Sequence, residues 1–332
     1  MDRFSGNSVR TDRGAISLRI SVTDSCQFRC TYCTDSPADA GARGEERLTQ
    51  TEIADFVSAV AMGFGLSKVH LTGGEPLLRD EIVDIVEMLA EEQVPDLAVT
   101  TNGHRLAELA EALAGAGLDR VNVSVDSLDP ETYARVNGVG AKLERTLQGL
   151  QAAMSAGLAP LKINTVVLRN HNLLEAPRLV RWALALGCEL RFIELMPLGC
   201  IKEKFNELYV SSHEVRDRLA SAFYLTPLDE IRGSSSRRFL IEERGGKARG
   251  TVGFISPMSH PFCGGCRRIR LTSDGRLLGC LKDPCGISVR EALRKGGPSA
   301  DRTVLGLVSR ALGRKGSGHS FGAVKTLAAM GG

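Results

Sequence analysis

The sequence is poor in aromatic residues and carries almost no excess of charge. Aromatic side chains make up 5% of the 332 residues, with a single tryptophan, which leaves few rings on which nucleic-acid bases could stack. The 42 basic and 39 acidic residues give a net charge of +3, and so close a balance argues against a nucleic-acid partner. Any cationic site in the protein must therefore be local.

Long hydrophobic runs are also missing. No segment approaches the roughly 20 apolar residues that cross a membrane, and residues 1 to 14 are polar. We therefore expect a cytoplasmic protein that does not bind a membrane. The hydrophobic content of 43% is ample for a buried core, and the length favours one large domain with a smaller appendage.

Six of the nine cysteines form two groups of three. The first group, Cys26, Cys30 and Cys33, has the spacing C-x3-C-x2-C and follows an alternating apolar stretch. An odd number of clustered cysteines indicates metal ligation in a reducing compartment, not a disulfide framework. Three thiolates are one too few for a structural zinc site, whereas a 4Fe-4S cluster held by three cysteines keeps one iron free for another ligand.

The second group lies near the C-terminus, where Cys263, Cys266 and Cys280 have the spacing C-x2-C-x13-C. Arg267, Arg268 and Arg270 follow its second cysteine and would place guanidinium groups beside the metal. The alternative is a zinc ribbon whose fourth ligand is Cys285 or His260. Cys188, Cys200 and Cys285 fall outside both groups, and we expect them to be buried or spare thiols.

Short β-branched runs alternate with helical patterns from residue 15 to about residue 225. The predicted strands are Ile16 to Val22, Lys68 to Leu71, Leu97 to Thr100, Arg120 to Val125, Leu161 to Leu168 and Glu189 to Ile193. The predicted helices are Thr49 to Phe64, Asp80 to Glu92, Leu106 to Ala114, Lys142 to Ala156 and Leu173 to Leu186. About six βα units predict an α/β fold with a parallel sheet, either doubly wound or curled into a barrel.

Candidate functional residues follow the predicted strands, where parallel sheets bind their ligands. The cysteine loop follows the first strand, and the segment Thr72-Gly-Gly-Glu-Pro76 follows the second. Thr100-Thr-Asn-Gly103, the pair Ser124 and Asp126, and Glu194-Leu-Met196 follow later strands.

Side-chain alternation predicts a polar inner face, because successive strand residues face opposite sides of a sheet. Arg19, Lys68 and Lys162 share that face with serine, threonine and asparagine side chains. Buried cations are costly unless an anion accompanies them, so the pattern predicts a wide, incomplete barrel that holds an anion. The sixth strand is ambiguous because alternation places Arg191 together with Ile193.

With both cysteine groups, Thr72-Gly-Gly-Glu-Pro76 and the terminal Gly331-Gly332, the chain resembles the GTP 3',8-cyclase family of molybdenum-cofactor biosynthesis, within the radical S-adenosylmethionine (SAM) superfamily. The match runs from about residue 13 to residue 285. The resemblance implies an incomplete (β/α)6 barrel over residues 13–225 and an auxiliary-cluster region with a Gly-Gly tail over residues 226–332. It also implies a lyase that converts GTP to 3',8-cyclo-7,8-dihydroguanosine 5'-triphosphate, the first step of molybdopterin biosynthesis.

The resemblance assigns roles to individual residues. Cys26, Cys30 and Cys33 would hold a SAM-binding 4Fe-4S cluster, and Cys263, Cys266 and Cys280 a second 4Fe-4S cluster that binds the guanine edge. The SAM contacts would be Tyr32, Gly74, Glu75, Ser124 and Met196. The GTP contacts would be Arg19, Lys68, Thr101, Lys162, Arg191, Arg268 and Arg270, of which Arg268 and Arg270 are also the catalytic candidates.

In the implied reaction, an electron from the first cluster cleaves SAM to methionine and a 5'-deoxyadenosyl radical, which removes the 3' hydrogen of GTP. The ribose radical adds to C8 of guanine, and reduction with proton donation gives the product. The implied partners are an unidentified electron donor and a downstream pyranopterin-forming enzyme, and a homodimer is left open.

The chain departs from the family pattern in three places. His70 stands where a second arginine is usual, Thr34-Asp35 replaces Met-Pro after Cys33, and the basic pattern before the terminal Gly-Gly is poorly matched. These differences leave open a radical SAM paralogue that acts on another nucleotide or a peptide. A zinc-binding, nucleotide-sensing protein without turnover is the alternative from another class.

Overall fold

The computed structural model describes residues 14–33, 47–138, 140–231, 233–283 and 286–315, and every structural statement below concerns these residues. Thr34-Asp35, Cys285 and the terminal Gly331-Gly332 lie outside them, as does the side chain of Cys200.

Six parallel strands form the centre of one curved sheet. They are β1 (Ile16–Ser21), β2 (Leu66–Thr72), β3 (Leu97–Thr101), β4 (Arg120–Ser124), β5 (Lys162–Val167) and β6 (Glu189–Glu194). Each pairs with the next in chain order. The helices between them are α1 (Gln50–Phe64), α2 (Ile82–Glu91), α3 (Leu106–Gly115), α4 (Pro130–Asn137), α5 (Leu143–Ser155) and α6 (Ala176–Ala185), with 3-10 turns at Pro76–Leu78 and Leu173–Glu175. The predicted (β/α)6 half-barrel is confirmed.

Local sequence explains where these helices begin. Thr49 caps α1 in a capping box: its hydroxyl accepts from the N–H of Glu52 at 3.1 Å, and the Glu52 carboxylate accepts from the N–H of Thr49 at 2.7 Å. Asp129 caps α4 through Thr132 at 2.8 Å, with Pro130 in the first turn. α4 was not predicted, because its eight residues include few apolar side chains.

The segment after β6 adds strands to both ends of this sheet. Its elements are a 3-10 turn at Gly199–Lys202, α7 (Phe205–Leu208), α8 (Ser212–Ala220), β7 (Phe223–Pro227), β8 (Arg237–Glu243), β9 (Arg249–Ile255), β10 (Arg268–Leu271), β11 (Arg276–Leu278), β12 (Ile287–Ser288), α9 (Arg290–Lys295) and α10 (Pro298–Gly313). The strand order is β12-β11-β10-β1-β2-β3-β4-β5-β6-β9-β8-β7, with β10 parallel to β1 and β9 parallel to β6. Residue 225, the predicted domain boundary, lies within β7, and the division into two domains stays a prediction.

The two faces of the central sheet differ in chemistry. Leu18, Ile20, Val69, Val121 and Ile163 are fully buried and belong to the main apolar cluster that the helices complete. The opposite, concave face carries the polar residues, as alternation along β1, β4 and β5 predicted. No helix in the described ranges is long and apolar enough to cross a membrane.

Candidate active site

The first cysteine group lies in the loop that leaves β1. Cys26 and Cys30 are half-buried against the main core, and Cys33 packs beside Met196 and Leu198. The Cys33 N–H donates to the Cys30 carbonyl at 2.9 Å, and the Cys30 thiol donates to Oδ1 of Asn137 at 3.2 Å. The loop therefore turns back on itself and brings the thiols together.

Burial sets the electrostatics of these thiols. It raises the pKa of Cys26 to about 11 and that of Cys30 well above its usual value, and the nearby Cys33, Asp126 and Cys26 raise the pKa of Cys30 further. Thiolates in this place need a positive counter-charge, which a bound iron-sulfur cluster supplies. The donor set therefore fits the predicted cluster.

The metal-ligating side chains of the described residues do not converge on one point. In the described part of the chain, no three or more histidine, cysteine, aspartate or glutamate side chains are placed to hold one metal ion. A cubane has a different iron for each cysteine, so its ligands do not converge on one point. His260, the described candidate for a fourth zinc ligand, lines a cavity of about 200 Å³ with residues of α8 and β8. It forms no metal-binding set with the described cysteines.

The Gly-Gly-Glu-Pro segment is bonded directly to the cysteine loop. The N–H groups of Gly74 and Glu75 donate to the carbonyls of Thr23 and Ser25 at 2.7 and 2.8 Å. A Cβ on Gly74 would overlap the carbonyl oxygens of Asp24 and Ser25, so this close approach requires glycine. The residues predicted to contact SAM are thus fixed relative to the first cysteine group.

Glu75 is 1% exposed and lies where β2 and β3 end. Its carboxylate accepts from the Thr101 hydroxyl at 2.6 Å and from the N–H groups of Asn102 and Leu77 at 2.7 and 3.1 Å. Burial raises the pKa of Glu75 to about 7, although these three hydrogen bonds act in the opposite direction. Thr101, predicted to contact GTP, therefore has its hydroxyl engaged by Glu75.

Tyr32, Ser124 and Met196 lie near the same ends of the strands. The Tyr32 hydroxyl donates to Asp126 at 2.7 Å, and burial raises the pKa of Asp126 to about 6. Ser124 is half-buried at the end of β4, and Met196 packs against Leu198, as Cys33 does. Tyr32, Gly74, Glu75 and Met196 thus lie close to the first cysteine group, and Ser124 lies at the same end of the sheet.

A cluster of cations lies on the concave face, farther from the carboxyl ends of the strands than the first cysteine group. Burial lowers the pKa of Arg19 well below its usual value, and the charges of Arg270, Arg268 and Arg191 lower it further. Burial also lowers the pKa of Lys68 and of Lys162, and each is repelled by Arg191. The six cations predicted from the sequence therefore share one site. We call them, together with Arg120, the lumen cations.

Arg120 was missed as a site residue. Its guanidinium makes two hydrogen bonds to Asp96 at 2.8 and 2.9 Å, and a third to Asn122 at 3.2 Å. Arg120 lies two residues before Asn122 on the same strand, so the alternation that placed Asn122 on the polar face also places Arg120 there. Asp96 and Glu189 are the acidic neighbours of the lumen cations, with Glu189 3.7 Å from Arg191. Positive charge remains in excess, so an anion bound here would be stabilised.

His70 lies among these cations and is 8% exposed. Asn122 Oδ1 accepts from Arg191 at 2.7 Å and from Arg120, so its Nδ2 must donate, and the His70 Nε2 lies 2.8 Å away. The Thr100 hydroxyl is 2.7 Å from the same nitrogen. An accepting Nε2 leaves the imidazole proton on Nδ1. Burial, followed by the charge of Arg19, lowers the pKa of His70 well below its usual value, so the ring is neutral.

The second cysteine group adjoins the lumen cations through β10. Arg270 pairs with Arg19 in the β10–β1 ladder, and Cys266 lies two residues before β10. The Lys315 ammonium donates to the Cys266 thiol at 3.3 Å and to the Arg268 carbonyl at 2.6 Å. Burial alone would raise the pKa of Cys266, but Lys315 and Arg268 lower it overall. Lys315 carried no signal in the sequence.

Comparison with known proteins places the chain among characterised families. Residues 20–183 match the model of the Radical SAM superfamily, and residues 188–321 match Molybdenum Cofactor Synthesis C. A protein of Rhodopseudomonas palustris strain TIE-1 named GTP 3',8-cyclase is 40% identical over 309 residues, which cover 92% of this chain and 87% of that protein. A protein of the same name from Paracoccus denitrificans is 40% identical over 308 residues, with the same coverage of both chains.

Solved structures share the fold at low identity. Streptococcus suis SuiB bound to S-adenosylmethionine superposes with a TM-score of 0.55 and 15% identity, over 81% of this chain and 61% of that chain. A second SuiB structure gives a TM-score of 0.58 at 13% identity, over 84% and 64%. The chain therefore spans somewhat less than two thirds of SuiB, and the likeness concerns the fold alone.

Proposed function

The chain belongs to the GTP 3',8-cyclase family of the radical SAM superfamily, and we propose that it converts GTP to 3',8-cyclo-7,8-dihydroguanosine 5'-triphosphate, the first step of molybdopterin biosynthesis. The observation that carries the proposal is the position of the lumen cations on the concave face. Above them on this face lie the first cysteine group and Glu75, and beside them lies the second cysteine group, whose cysteines stand on both sides of β10 in the sequence. A nucleoside triphosphate has the charge to occupy such a site.

The enzyme uses SAM and an iron-sulfur cluster, as its superfamily does. When bound, they supply the electron and the hydrogen-abstracting radical. Cys26, Cys30 and Cys33 are proposed to hold this cluster. A second 4Fe-4S cluster on Cys263, Cys266 and Cys280 is part of the proposal and is supported by the cations beside those thiols.

The protein's own residues bind and orient the reactants. The ionised Glu75 is proposed to bind the SAM ammonium group, while Tyr32, Gly74, Ser124 and Met196 line the rest of the cofactor. Arg19, Lys68, Lys162, Arg191 and Arg268 are proposed to bind the triphosphate, and Arg270 to hold the base next to the second cysteine group. Such positioning brings the ribose and the base into the geometry that ring closure needs.

Thr101 has a different proposed role from the GTP contact that the family resemblance implied. Its hydroxyl donates to Glu75 and accepts from the N–H of Gly103 at 2.9 Å. It therefore orients the carboxylate for SAM, and contact with GTP is left to its remaining surface.

The remaining partners follow from the reaction. Reduction of the cluster requires an external electron donor, and the cyclised product requires a pyranopterin-forming enzyme that consumes it. Both stay predictions, together with the homodimer and the cytoplasmic location.

The proposal is tested by anaerobic incubation of the reconstituted enzyme with SAM, a reductant and each of the four common nucleoside triphosphates in turn. We expect 5'-deoxyadenosine and a cyclised product with GTP alone. A Cys26→Ser variant is the control and should form neither. Equal turnover of another triphosphate would contradict GTP as the substrate, and a protein that binds zinc without forming 5'-deoxyadenosine would contradict the reaction class.

A further inference from the structure

A serine-rich loop between β7 and β8 crosses the open side of the half-barrel. We call Ser234, Ser235 and Ser236 the serine loop. β8 lies beyond β9 at one end of the sheet, whereas β10 lies beyond β1 at the other end. Even so, Arg268 of β10 donates to the Ser235 hydroxyl at 3.2 Å. The loop therefore joins the two ends of the curved sheet across the lumen.

Ser236 lies against the lumen wall beside Arg191. Gly253 of β9 pairs with Arg191 of β6, and a Cβ on Gly253 would overlap the Ser236 hydroxyl and lie 2.9 Å from Cγ of Arg191. Glycine at position 253 thus lets the loop approach the sheet closely. Within the described ranges, the Ser236 hydroxyl is buried and has no hydrogen-bond partner.

The turn itself does not need the Ser236 hydroxyl. The Ser234 hydroxyl holds the turn, because it accepts from the Ser236 N–H at 3.1 Å and donates to the Ser236 carbonyl at 3.0 Å. Buried hydroxyls nearly always have a partner. An unpaired hydroxyl beside a cation therefore indicates a further group that joins the site from outside the described residues.

The chemistry of the surroundings identifies that group. Arg191 and Arg268 are guanidinium groups and can only donate hydrogen bonds. Ser235 accepts from Arg268, so its own hydroxyl hydrogen is still available, and the hydrogen of Ser236 has no acceptor among the described residues. A ligand that satisfies hydroxyls and guanidinium groups together must offer several anionic oxygens, as a polyphosphate does.

We propose that Ser235 and Ser236 are binding residues for the polyphosphate of the substrate, with Ser236 acting beside Arg191 and Ser235 beside Arg268. This inference rests on the proposed function, because it specifies how the same site binds its triphosphate. It adds the serine loop, which crosses the open side of the barrel, to a site whose other binding residues lie on strands.

The test compares Ser236→Ala with wild type by isothermal titration of the full-length, anaerobically reconstituted enzyme. The ligands are GTP, inorganic tripolyphosphate and SAM. We expect GTP and tripolyphosphate to bind about tenfold more weakly, since a hydrogen bond to a charged group is lost, and SAM to bind as in wild type. Ser221→Ala is the matched control, because that hydroxyl donates to the Arg218 carbonyl on the surface, and it should change nothing.

Other outcomes overturn the inference. Unchanged tripolyphosphate binding in Ser236→Ala means that the hydroxyl does not contact the polyphosphate, and an equal loss of SAM binding means that it only supports the fold.

The proposed function and this inference can fail separately. A wild-type protein that binds tripolyphosphate but does not prefer GTP contradicts the proposed substrate, and a loss in Ser236→Ala would still support the serine loop. A wild-type protein that binds neither ligand overturns both.

Discussion

At the scale of single residues, Glu75 shows how burial and hydrogen bonding shift the pKa of one carboxyl group in opposite directions. Desolvation favours the neutral acid, whereas the three donors from Thr101, Asn102 and Leu77 favour the carboxylate. The balance leaves a pKa of about 7. Glu75 therefore changes charge near neutral pH, and the binding of a cationic cofactor should follow that charge.

We predict that SAM affinity depends on pH through Glu75. Because its folded pKa of about 7 lies above the usual range, the carboxyl is mostly neutral at pH 6 and half ionised at pH 7. The SAM ammonium binds the ionised form, so affinity should rise about fivefold between these values. Titration of SAM at several pH values measures this. Glu75→Gln should bind weakly without that rise, and a wild-type affinity that is flat from pH 6 to pH 7 would contradict the assignment.

His70 shows what sequence could not supply at this scale. The substitution for arginine was visible, but the neutral state of the ring was not. That state follows from Asn122, whose orientation is fixed by Arg191 of β6 and Arg120 of β4. Three strands must be in register before the tautomer is determined. The local sequence around His70 therefore does not predict its tautomer.

At the scale of elements, alternation along the strands was the strongest signal. It separated Arg19 from Leu18 and Lys162 from Ile163, and the structure places the two residues of each pair on opposite faces of the sheet. It left β6 undecided. The Arg191 hydrogen bond to Asn122 now assigns Arg191 to the lumen face. The pairing of β10 with β1 could not be predicted, because nearly 250 residues separate them and no pattern in either strand specifies the partner.

The lumen face gives a prediction about GTP binding. Replacement of Lys68 or Lys162 by Ala should weaken GTP binding by about ten- to a hundredfold, because each removes a charge-assisted contact of roughly 1.5 to 3 kcal/mol. SAM binding should be kept. Arg249→Ala is the matched control, since that arginine is exposed on β9 and pairs with Glu242 at the surface. If the control loses as much GTP affinity as the two lysine variants, the charge acts at long range and not as a contact.

A second prediction at this scale concerns Glu194, at the end of β6. It accepts from the N–H groups of Ser212, Met258 and Ser259 at 2.7, 3.0 and 2.9 Å, and also from the Ser259 hydroxyl. It thereby joins α8 to the loop that leads to Cys263. Glu194→Gln would leave buried donors unsatisfied, which costs about 1 to 3 kcal/mol.

We expect Glu194→Gln to lower the Tm by several degrees and to reduce the iron held by the second cysteine group. Thermal unfolding and iron analysis measure the two effects. Glu214→Gln is the control, because Glu214 caps α8 at a more exposed position. The Glu214→Gln protein should retain its iron. Full iron content in Glu194→Gln would show that the loop finds its position without the carboxylate.

At the scale of the whole molecule, the two cysteine groups are carried by different parts of one sheet. The first follows β1, and the second brackets β10, the neighbour of β1. Sequence spacing identified both groups, but their common face became apparent only through the β10–β1 ladder. The terminal Gly331-Gly332 lies outside the described residues.

We predict that the two clusters can be separated. Reconstituted wild type should carry about eight irons per chain, and Cys263→Ala about four. The variant should still cleave SAM in the absence of substrate, because its first cysteine group is unchanged, while cyclisation is lost. Iron analysis and chromatography of 5'-deoxyadenosine measure both properties. A variant with its full iron content would remove the second group from the list of cluster ligands.

The central claim is that this lumen holds GTP with its ribose C3' next to the cofactor. The most direct measurement is anaerobic turnover with GTP that carries deuterium at C3', followed by mass spectrometry of the 5'-deoxyadenosine. The account predicts 5'-deoxyadenosine one mass unit heavier, formed together with the cyclised triphosphate. Unlabelled 5'-deoxyadenosine, or labelled 5'-deoxyadenosine without a cyclised product, would contradict it.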